Sequence, residues 1–541
     1  MDLILTGGNL YTMDKNNPKA QAVAVKSGLI QAVGTNADIL AMKSETTEVI
    51  DLCGKTLIPG FNDSHCHLLG YAVNLDMVDL SGVTSIDEIV ARFKAFIEKN
   101  KIPAGKPVFG AGWNQNFFEE KTPPTKHELD EISDVHPICA YRACYHVCAV
   151  NSLMMRDKGI DKNTPDIDGG DVARDKFGEP TGIFAENAML LFEDDEDEDF
   201  DTGEIEELIL KAMPNLHKMG ITSVQSDDSG DESSLKKVYD AYVNLAKSGK
   251  LKLRVSEQCR AHGLKNYGKI LSLPQVDEVT APYFKLGPVK IMADGSLGGR
   301  TAYMREDYRD DPGNRGIPIY TKEEFDAIVD LAHEMDRPVA IHAIGDAAMQ
   351  WCLDAIKRVQ GEHSRPNLRH GIVHCQITDS AQLKAFKANN VVAYIQPIFI
   401  HADWSCVADR VGEAKASTSY AFKTLKDMGV CIPLGTDCPV EGFNPFKNIY
   451  CAVTRKDLSA QPETGYNPGE ALTVDEAVYS YTVDSAYASY EEDVKGMIKV
   501  GMYADMAVLS KNIFEISHEE ILETEVELTV FDGKVVYRSK G

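Results

Sequence analysis

The sequence predicts an α/β fold: a (β/α)8 barrel of the TIM type, joined to a small β-sandwich built from both termini and carrying a large insertion after the first barrel strand. Three observations predict this architecture. The middle of the 541-residue chain alternates apolar, strand-like runs with amphipathic helical stretches. Both ends consist of short alternating runs separated by glycine-containing turns. About 150 residues separate the first two barrel runs, several times the length of an ordinary β–α connection.

The two ends of the chain predict one composite β-domain. LILTGGNLYTM lies near the start and VELTVFDGKVVYRSKG near the end. Apolar and polar residues alternate on either side of each glycine turn, as they do in β-hairpins. We therefore expect residues 1–58 and 490–541 to share a β-sandwich, and residues 59–489 to form the barrel.

Eight apolar runs in the middle of the chain predict the barrel strands. In chain order they are TLIPGFNDSHCH, GITSVQSDD, LKLRVSEQ, GPVKIMADG, PVAIHAIGD, RHGIVHC, NVVAYIQP and VCIPLGTD. Helical patterns such as TKEEFDAIVDLAHEMD and SAQLKAFKANN lie between them. Eight such alternations are typical of a parallel barrel, in which functional residues gather at the carboxyl ends of the strands.

The long segment between the first two runs predicts an insertion at residues 81–186. It contains strand-like runs of its own, such as PVFGAGWNQNFFEE. Because it follows the first barrel strand, it leaves the barrel at the carboxyl ends of the strands. We therefore expect the insertion to cap the active site.

Composition and charge narrow the class of protein. The chain carries 83 acidic and 56 basic side chains, a formal charge of −27, which argues against nucleic acid or an anionic membrane as partner. Twelve cysteines without a C-x-x-C pair indicate reduced thiols rather than a disulfide framework. The first residues, MDLILTGGNLYTMDKNN, contain no basic leader. We expect a cytoplasmic protein whose partner is a small-molecule substrate.

Two histidines stand one residue apart where the first barrel strand ends, in LIPGFNDSHCHLLG. Alternate side chains of a strand face the same side, so His65 and His67 face one side together while Cys66 faces the other. Two imidazoles on one side at the end of a strand are typical of a metal site. Two surface histidines leaving the strand are the alternative, and the rest of the chain decides between them.

Further ligand-type residues occur at the ends of other runs. His342 ends the fifth run, His374 the sixth and Asp437 the eighth. The fourth run carries Lys290 among apolar neighbours and closes at Asp294. A lone histidine on an apolar strand is usually a hydrogen-bonded core residue, but groups at equivalent strand ends of one barrel converge on its axis. We therefore expect one shared site.

The chemistry of this set indicates hydrolysis. Imidazole and carboxylate groups bind zinc and neighbouring divalent metals. Two such ions roughly 3.5–4 Å apart would share a hydroxide and polarise a carbonyl. Asp437 would take the proton of the attacking water and pass it to the leaving nitrogen, which makes it the expected catalytic general base and acid.

Lys290 has two interpretations. A buried lysine is costly unless it is paired or neutralised. An ordinary salt bridge with Asp294 or Glu257 would pair it. Reaction with carbon dioxide would instead turn its amine into a bridging carbamate.

Several motifs together resemble the amidohydrolase superfamily. They are PGFNDSHCH, VKIMADGSLGGRTA, IHAIGDAA, HCQ, GTDCPV and GMIKVGMYADMAVL. More narrowly, the chain resembles the branch of metal-dependent hydrolases that includes N-substituted formamide deformylase, and the resemblance covers essentially the whole chain. It implies a binuclear centre of two divalent metal ions per chain, which we expect to be zinc. By analogy with relatives we also expect a homodimer.

The resemblance implies a role for each candidate ligand. One metal would be held by His65, His67 and Asp437. The other would be held by His342 and His374. The lysine of the fourth run would bridge the two ions as its carbamate.

Six further residues are candidates for substrate binding. They are Trp113, Asn114, Gln115, His146, Arg300 and His401. Trp113 and its two neighbours match a segment that resembles the family's pocket-lining insertion, and a structural tryptophan in the insertion's own core is the alternative. His146 resembles a family position that faces the pocket. Arg300 would meet a substrate carboxylate, with an interior salt bridge as the alternative, and His401 would reach substrate beyond the seventh run.

The leading prediction is a metal-dependent hydrolase that uses a metal-bound hydroxide to cleave the carbon–nitrogen bond of a small molecule, in an amide, a formamide or a cyclic amide. Ester hydrolysis or deamination at the same site is the second prediction. A catalytically inactive barrel that binds a ligand for regulation is the third. Such proteins usually lack a metal ligand or the proton-transferring aspartate, and here all six candidates are present.

Overall fold

The computed structural model describes residues 1–167, 169–192, 200–230, 232–261 and 263–540. Within these residues, no helix combines the length and the apolar composition of a membrane span. The twelve cysteines are all free thiols.

β-Strands form four sheets in the described part of the chain. In chain order the strands are β1 (Leu3–Thr6), β2 (Asn9–Tyr11), β3 (Lys19–Ala20), β4 (Ala22–Lys26), β5 (Leu29–Gly34), β6 (Glu48–Asp51), β7 (Thr56–Pro59), β8 (Phe61–Cys66), β9 (Val78–Asp79), β10 (Val108–Trp113), β11 (Ile138–Arg142), β12 (Val147–Val150), β13 (Gly170–Arg174), β14 (Pro180–Glu186), β15 (Ile221–Ser226), β16 (Arg254–Arg260), β17 (Phe284–Met292), β18 (Val339–Ala343), β19 (Gly371–His374), β20 (Val392–Tyr394), β21 (Met506–Leu509), β22 (Val526–Phe531) and β23 (Lys534–Arg538).

α-Helices connect most of these strands. In chain order they are α1 (Asn36–Leu40), α2 (Leu68–Asn74), α3 (Ile86–Asn100), α4 (Lys126–Asp130), α5 (Ser152–Asp157), α6 (Thr202–Lys218), α7 (Glu232–Lys247), α8 (Leu264–Leu271), α9 (Lys322–Glu334), α10 (Asp346–Glu362), α11 (Ser380–Ala388), α12 (Ile400–Asp403), α13 (Val407–Val411), α14 (Glu413–Ala416), α15 (Phe422–Asp427), α16 (Pro445–Thr454), α17 (Val474–Tyr479) and α18 (Ser485–Ala488).

A parallel sheet of seven strands forms the barrel wall. Its order is β8, β15, β16, β17, β18, β19, β20. Each neighbouring pair is parallel, and the seven strands coincide with the first seven predicted runs. The carboxyl ends of all seven therefore lie at one face of the barrel, as the sequence predicts.

The eighth predicted run closes the wall without forming a regular strand. On one side, the N–H of Ile395 donates to the carbonyl oxygen of Pro433 (3.0 Å). On the other, the N–H of Ser64 donates to the carbonyl oxygen of Leu434 (3.0 Å). Because Pro433 has no N–H to donate, a regular ladder is interrupted at this point. The structure thus differs here from the predicted eight regular strands, although the segment bonds to both neighbours.

The barrel core lies between the wall and the surrounding helices. β15 and β18 are buried along their whole length, as parallel strands covered by helices must be. α9 shows how a helix covers them. Thr321 caps its first turn by accepting the N–H of Glu324, and Phe325 and Ile328 on its inner face are buried.

Strands from both ends of the chain form two further sheets. One has the order β5, β4, β1, β6, and the other β23, β22, β21, β7, β2, β3. β21 pairs with β7, which joins the C-terminal arm to the N-terminal arm. Leu5 and Val23 of the first sheet share one core with Leu57 and Val508 of the second. This arrangement has the form of the predicted sandwich, whose limits stay a prediction.

A separate six-stranded sheet lies between β8 and β15 in the chain. Its order is β13, β14, β12, β11, β10, β9, and its apolar residues form cores of their own. The turn between β11 and β12 carries Cys144, Tyr145 and His146 to the barrel face, and Glu186 ends β14 at the same place. These residues are the part of the predicted insertion that reaches the site. Its limits at 81 and 186 stay a prediction.

Candidate metal centre

The carboxyl ends of the barrel strands surround a cavity of about 610 Å³. The six predicted metal ligands all line it: His65, His67, Lys290, His342, His374 and Asp437. They come from β8, the turn after it, β17, β18, β19 and the eighth run. The barrel therefore brings together six side chains from five segments that are far apart in the sequence.

Three of these side chains form the first half of the centre. His65 Nε2 lies 3.2 Å from Asp437 Oδ1, and His67 Nε2 lies 3.1 Å from the same oxygen. The three ligand atoms all lie within 4.8 Å of one another. This spacing allows one cation to contact all three.

Hydrogen bonds fix which nitrogen of each imidazole faces inward. The side-chain amide of Gln258 donates to Ser64 O (3.1 Å), so its oxygen accepts the proton on His65 Nδ1 (2.7 Å). His67 Nδ1 donates to the carbonyl oxygen of Asp227 (2.7 Å). Each Nε2 is thereby left with a lone pair directed at Asp437, which is how protein oxygens orient imidazoles in metal sites.

His342 and His374 form the second half of the centre in the same way. His342 Nε2 donates to Gly295 O (3.1 Å), and His374 Nδ1 donates to the side-chain oxygen of Gln396 (2.9 Å). The remaining nitrogens, His342 Nδ1 and His374 Nε2, face each other at 2.9 Å. Two lone pairs at this distance repel unless a cation lies beside both, so the donor set fits a metal ion.

The charge states of these groups suit metal binding. Burial lowers the pKa of His65 to about 4, and the charge of Lys290 adds to the effect. Burial also holds the pKa values of His342 and His374 well below the ordinary range. Burial alone would raise the pKa of Asp437, but the imidazoles around it, His65 foremost, lower that pKa well below its usual value. Neutral imidazoles and an ionised carboxylate are the forms that bind metals.

Lys290 has a carboxylate partner that the sequence does not indicate. Its Nζ lies 3.4 Å from Asp227 Oδ2 and 3.1 Å from His65 Nε2. The salt-bridge partner of Lys290 is therefore Asp227, which follows β15, and not Asp294 or Glu257, the two partners expected from the sequence. Burial lowers the pKa of the Lys290 amine, and the charge of Asp227 opposes that shift.

A buried carboxylate joins the two segments that carry the first three ligands. Asp63 Oδ2 accepts the hydroxyl of Thr436 (2.7 Å), and its Oδ1 accepts the N–H groups of Thr436 (3.1 Å) and His65 (3.2 Å). Burial raises the pKa of Asp63 to about 7. Because Thr436 immediately precedes Asp437, this one side chain sets the spacing between β8 and the eighth run at the site.

Left-handed backbone conformations cluster around the cavity. His374 has φ 79° and Asp437 has φ 58°, and the cavity residues Tyr145 and Glu186 have φ 57° and 50°. Residues other than glycine rarely adopt such angles, at a cost of about 1–2 kcal/mol each. Strained residues of this kind concentrate at functional sites.

One imidazole reaches the cavity from the insertion. His146 Nδ1 donates to Glu186 Oε2 (2.8 Å), and its ring centroid lies 5.3 Å from that of His342. Burial disfavours the charged imidazole, but the carboxylate of Glu186 outweighs this and raises the pKa of His146 to about 9. The structure thus places the predicted substrate residue His146 at the cavity, next to the second half of the centre.

Three other predicted substrate residues do not line this cavity. The Trp113 side chain lies in the core of the insertion, where its indole N–H donates to Ala140 O (2.9 Å). The side-chain oxygens of Asn114 and Gln115 accept hydrogen bonds from the guanidinium of Arg142, at 3.0 and 2.8 Å. For Trp113 this is the structural alternative given above.

Arg300 and His401 also lie outside the cavity. Arg300 forms a partly exposed ion pair with Asp310 (Nη2–Oδ2 2.9 Å), so it has a carboxylate partner within the chain. His401 Nδ1 accepts the N–H of Leu458 (3.3 Å), and its ring lies 5.3 Å from that of Phe117. The structure brings neither side chain to the candidate ligands.

Five side chains that bond to the site residues are not among the candidates predicted from the sequence. They are Asp63, Glu186, Asp227, Gln258 and Gln396. Asp63 and Asp227 stand in or next to predicted motifs, and an acidic residue at the end of a barrel strand is a signal that could have singled out Asp227. Glu186 and Gln258 carry no local signal, because the histidines that they orient are distant in the chain.

Comparison with known proteins shows which family and which relatives this chain is similar to. Residues 48–537 match the model of the amidohydrolase family. YtcJ of Bacillus subtilis, which is named as an amidohydrolase, is 34% identical over 542 residues, covering 99% of each chain. N-substituted formamide deformylase of Arthrobacter pascens is 27% identical over 555 residues, covering 100% of this chain and 99% of its own.

A solved structure has the same fold. It is an uncharacterized metal-dependent hydrolase from Pyrococcus horikoshii, similar to this chain with a TM-score of 0.74 at 28% identity. The match covers 95% of this chain and 99% of the other. The likeness therefore extends over both the barrel and the remaining sheets.

Proposed function

The chain belongs to the amidohydrolase family, and from this we propose that it uses two divalent metal ions, zinc in the first place, to hydrolyse the carbon–nitrogen bond of a small-molecule amide. The observation that carries the proposal is the pair of facing lone pairs on His342 and His374, 2.9 Å apart. A second set of inward lone pairs, on His65 and His67, converges on Asp437. Five ligand atoms in two groups support two ions rather than one.

We assign Lys290 the bridging position, as a carbamate. Its amine lies between the first metal group and Asp227, and its lowered pKa increases the fraction of neutral amine. The neutral Nζ would form a bond to the carbon of carbon dioxide as one C=O π bond opens, and would release one proton to water, which gives an anionic carbamate. The charge of Asp227 is already shared with Arg260 (Nε–Oδ1 3.2 Å), so the lysine is not its sole counter-ion.

Asp437 is the group that we assign to proton transfer. Its carboxylate is an acceptor at neutral pH because of its lowered pKa. Metal ions held here would polarise the substrate carbonyl and lower the pKa of the attacking water. Asp437 would accept a proton from that water and donate it to the nitrogen as the C–N bond breaks, leaving a carboxylic acid and an amine.

We infer the type of carbon–nitrogen bond from the names of the relatives. By its name, the deformylase of Arthrobacter pascens acts on N-substituted formamides. N-acyl amines and cyclic amides present the same carbonyl and nitrogen to the cavity. Ester hydrolysis and deamination would use the same groups, and a panel of substrates distinguishes them.

The proposal is tested with metal-loaded protein and a panel of formamides, N-acyl amino acids, N-acyl amines, cyclic ureas and esters. We expect amine release from at least one amide, with a higher kcat/KM than for any ester. Asp437→Asn should keep its bound metal, because the amide oxygen can still contact the ion, and lose about 100- to 10,000-fold in rate, which is the usual contribution of a general base. Asp76→Asn, which changes an exposed aspartate paired with Lys211, is the matched control.

Two results would contradict the proposal. Full activity of Asp437→Asn would remove that residue from proton transfer. Metal-loaded wild type that hydrolyses no amide of the panel would favour the third prediction, a barrel that binds a ligand without turnover.

A further inference from the structure

Arg142 is a buried arginine next to the candidate metal centre. It ends β11 in the insertion and is 4% exposed. Its Nε donates to Gln115 Oε1 (2.8 Å) and its Nη2 to Asn114 Oδ1 (3.0 Å). Both partners are neutral amides, and in the part of the chain that the structure describes Arg142 forms no ion pair. By contrast, the buried Arg254 is paired with the carboxylate of Asp505.

The guanidinium of Arg142 borders a second, small cavity. This cavity has a volume of about 50 Å³ and shares two wall residues, Cys144 and Val440, with the cavity of the metal centre. Gly298 leaves room for this guanidinium. A Cβ at that position would lie only 2.6 Å from Arg142 Nη2. Hydrogen bonds to Gln115 and Asn114 hold Nε and Nη2 in place. Nη1 forms no hydrogen bond with any described residue, so it can donate to a ligand.

The other polar groups around the small cavity complete a site for an anion. Gln376 is 2% exposed and lies at the cavity, with an amide whose oxygen has no partner; rotation of the amide by 180° would present its NH₂ to a ligand. Burial raises the pKa of Glu441 to about 8, which favours the protonated form of this carboxyl, a hydrogen-bond donor, at neutral pH. Asp403 also lines this cavity: its Oδ2 accepts the hydroxyl of Tyr420 (2.6 Å), burial raises the pKa of its carboxyl, and the charges of Arg142 and Arg410 oppose that shift.

We propose that Arg142 binds a carboxylate of the substrate in this small cavity, so that the enzyme prefers amides that carry a negatively charged group, such as N-acyl amino acids. The inference rests on the proposed hydrolytic function and narrows its substrate class. The guanidinium matches the planar carboxylate geometrically, and a cavity of about 50 Å³ suits a group of that size. Cys144 and Val440 line both cavities, so the two lie side by side, and the proposal requires a substrate that spans them.

The first test uses the wild-type enzyme alone. Each N-acyl amino acid is compared with a matched compound in which a neutral carboxamide replaces the carboxylate. We expect kcat/KM to be about 10- to 100-fold higher for the charged compound, mainly through KM, as a hydrogen-bonded charge pair would give. Equal kcat/KM values for the charged and the neutral compound would overturn the proposal, whatever the variants show.

The second test removes the guanidinium. Arg142→Met should abolish the preference by raising KM for the charged compounds only, and Arg142→Lys should restore part of it. Arg305→Met, which changes a surface arginine paired with Asp379, is the matched control and should keep the preference. Loss of the preference in Arg300→Met rather than in Arg142→Met would move the anion site to Arg300 and contradict the proposal.

Equilibrium binding separates this inference from the hydrolytic function. Calorimetry with metal-loaded Asp437→Asn measures the affinity for each charged and neutral compound without turnover. Tighter binding of the charged compounds that Arg142→Met removes in this background supports the subsite, even if wild type hydrolyses nothing. Hydrolysis of amides without any preference for the charged compounds leaves the function standing and refutes the subsite.

Discussion

Single hydrogen bonds decide what the imidazoles of the centre can bind. Each of the four histidines donates its one N–H to an oxygen of the protein, which leaves the other nitrogen with a lone pair at the cavity. Two of these acceptors are the side chains Gln258 and Gln396, and two are main-chain carbonyl groups. The tautomers are therefore set before any ion binds, and a ligand set ordered in advance loses less entropy on binding.

Asp63 can be tested by a substitution that keeps the shape of its side chain. Asp63→Asn keeps the shape of the side chain but puts an amide N–H against the N–H or the hydroxyl of Thr436. We expect a loss of about 1–3 kcal/mol in the free energy of unfolding, because a buried donor loses its acceptor. We also expect fewer bound ions per chain, since the spacing between His65 and Asp437 is relaxed. Chemical denaturation and elemental analysis measure both quantities.

A surface substitution serves as the control for Asp63. Asp76→Asn removes one member of an exposed ion pair and should change stability by no more than about 0.5 kcal/mol. If Asp63→Asn kept both its stability and its full complement of metal, the carboxylate would have no part in ordering the site.

Two histidines join elements at the amino-terminal end of the barrel. His333 on α9 donates its Nε2 proton to His363 O (2.6 Å), so its Nδ1 accepts the proton on His370 Nε2 (3.0 Å). His370, which directly precedes β19, accepts the N–H of Val339 at its Nδ1 (3.3 Å). This chain of bonds links one helix to two strands and requires both rings to be neutral.

The His370 bond predicts a pH-dependent stability. Burial, together with His333, lowers the pKa of His370 to about 3 in the folded protein, against about 6.5 in the unfolded chain. The unfolded state therefore binds more protons between these values, and stability is lost as pH falls from 6.5 towards 3. His370→Gln should be less stable than wild type at pH 7, and the difference should shrink as pH falls to 5.

Urea denaturation at pH 7, 6 and 5 measures this difference. His127→Gln, which changes an exposed histidine on α4, is the control and should follow wild type at every pH. If the unfolding free energy of His370→Gln differed from that of wild type by the same amount at all three pH values, the described titration of His370 would be contradicted.

Elements with a regular pattern are the ones that the sequence predicts well. Seven parallel strands follow from runs such as GPVKIMADG and RHGIVHC, because a strand covered on both faces is apolar throughout. The eighth run has the same composition, but Pro433 prevents a regular ladder, and whether a chain closes a barrel by strand or by isolated bonds depends on contacts with β8 and β20.

In the whole molecule, the terminal sheets and the insertion are both joined to the barrel. Arg254 in β16 binds Asp505 beside β21 through Nε (2.6 Å) and Nη2 (3.2 Å), and its guanidinium lies 3.6 Å from the ring centroid of Tyr503. This buried pair fixes the terminal sheets to the barrel wall. From the other side, the insertion contributes His146 and Glu186 to the cavity.

The division of the chain into a barrel, terminal sheets and an insertion explains how much of the site can be predicted from the sequence. Five of the six candidate ligands can be predicted because they stand at the ends of barrel runs, a rule that depends only on chain order, whereas Lys290 stands inside its run. Arg142 and the residues that orient the imidazoles depend on how the insertion and the loops pack, which no local pattern encodes. Trp113 illustrates the limit, because its neighbours contact Arg142 while its own ring fills the core of the insertion.

The most direct test of the account is anomalous diffraction at the zinc edge from crystals of the zinc-loaded protein. We expect two peaks per chain, one in contact with His65, His67 and Asp437 and the other between His342 and His374, with added density on Lys290 Nζ. A single peak, or peaks away from these side chains, would contradict it.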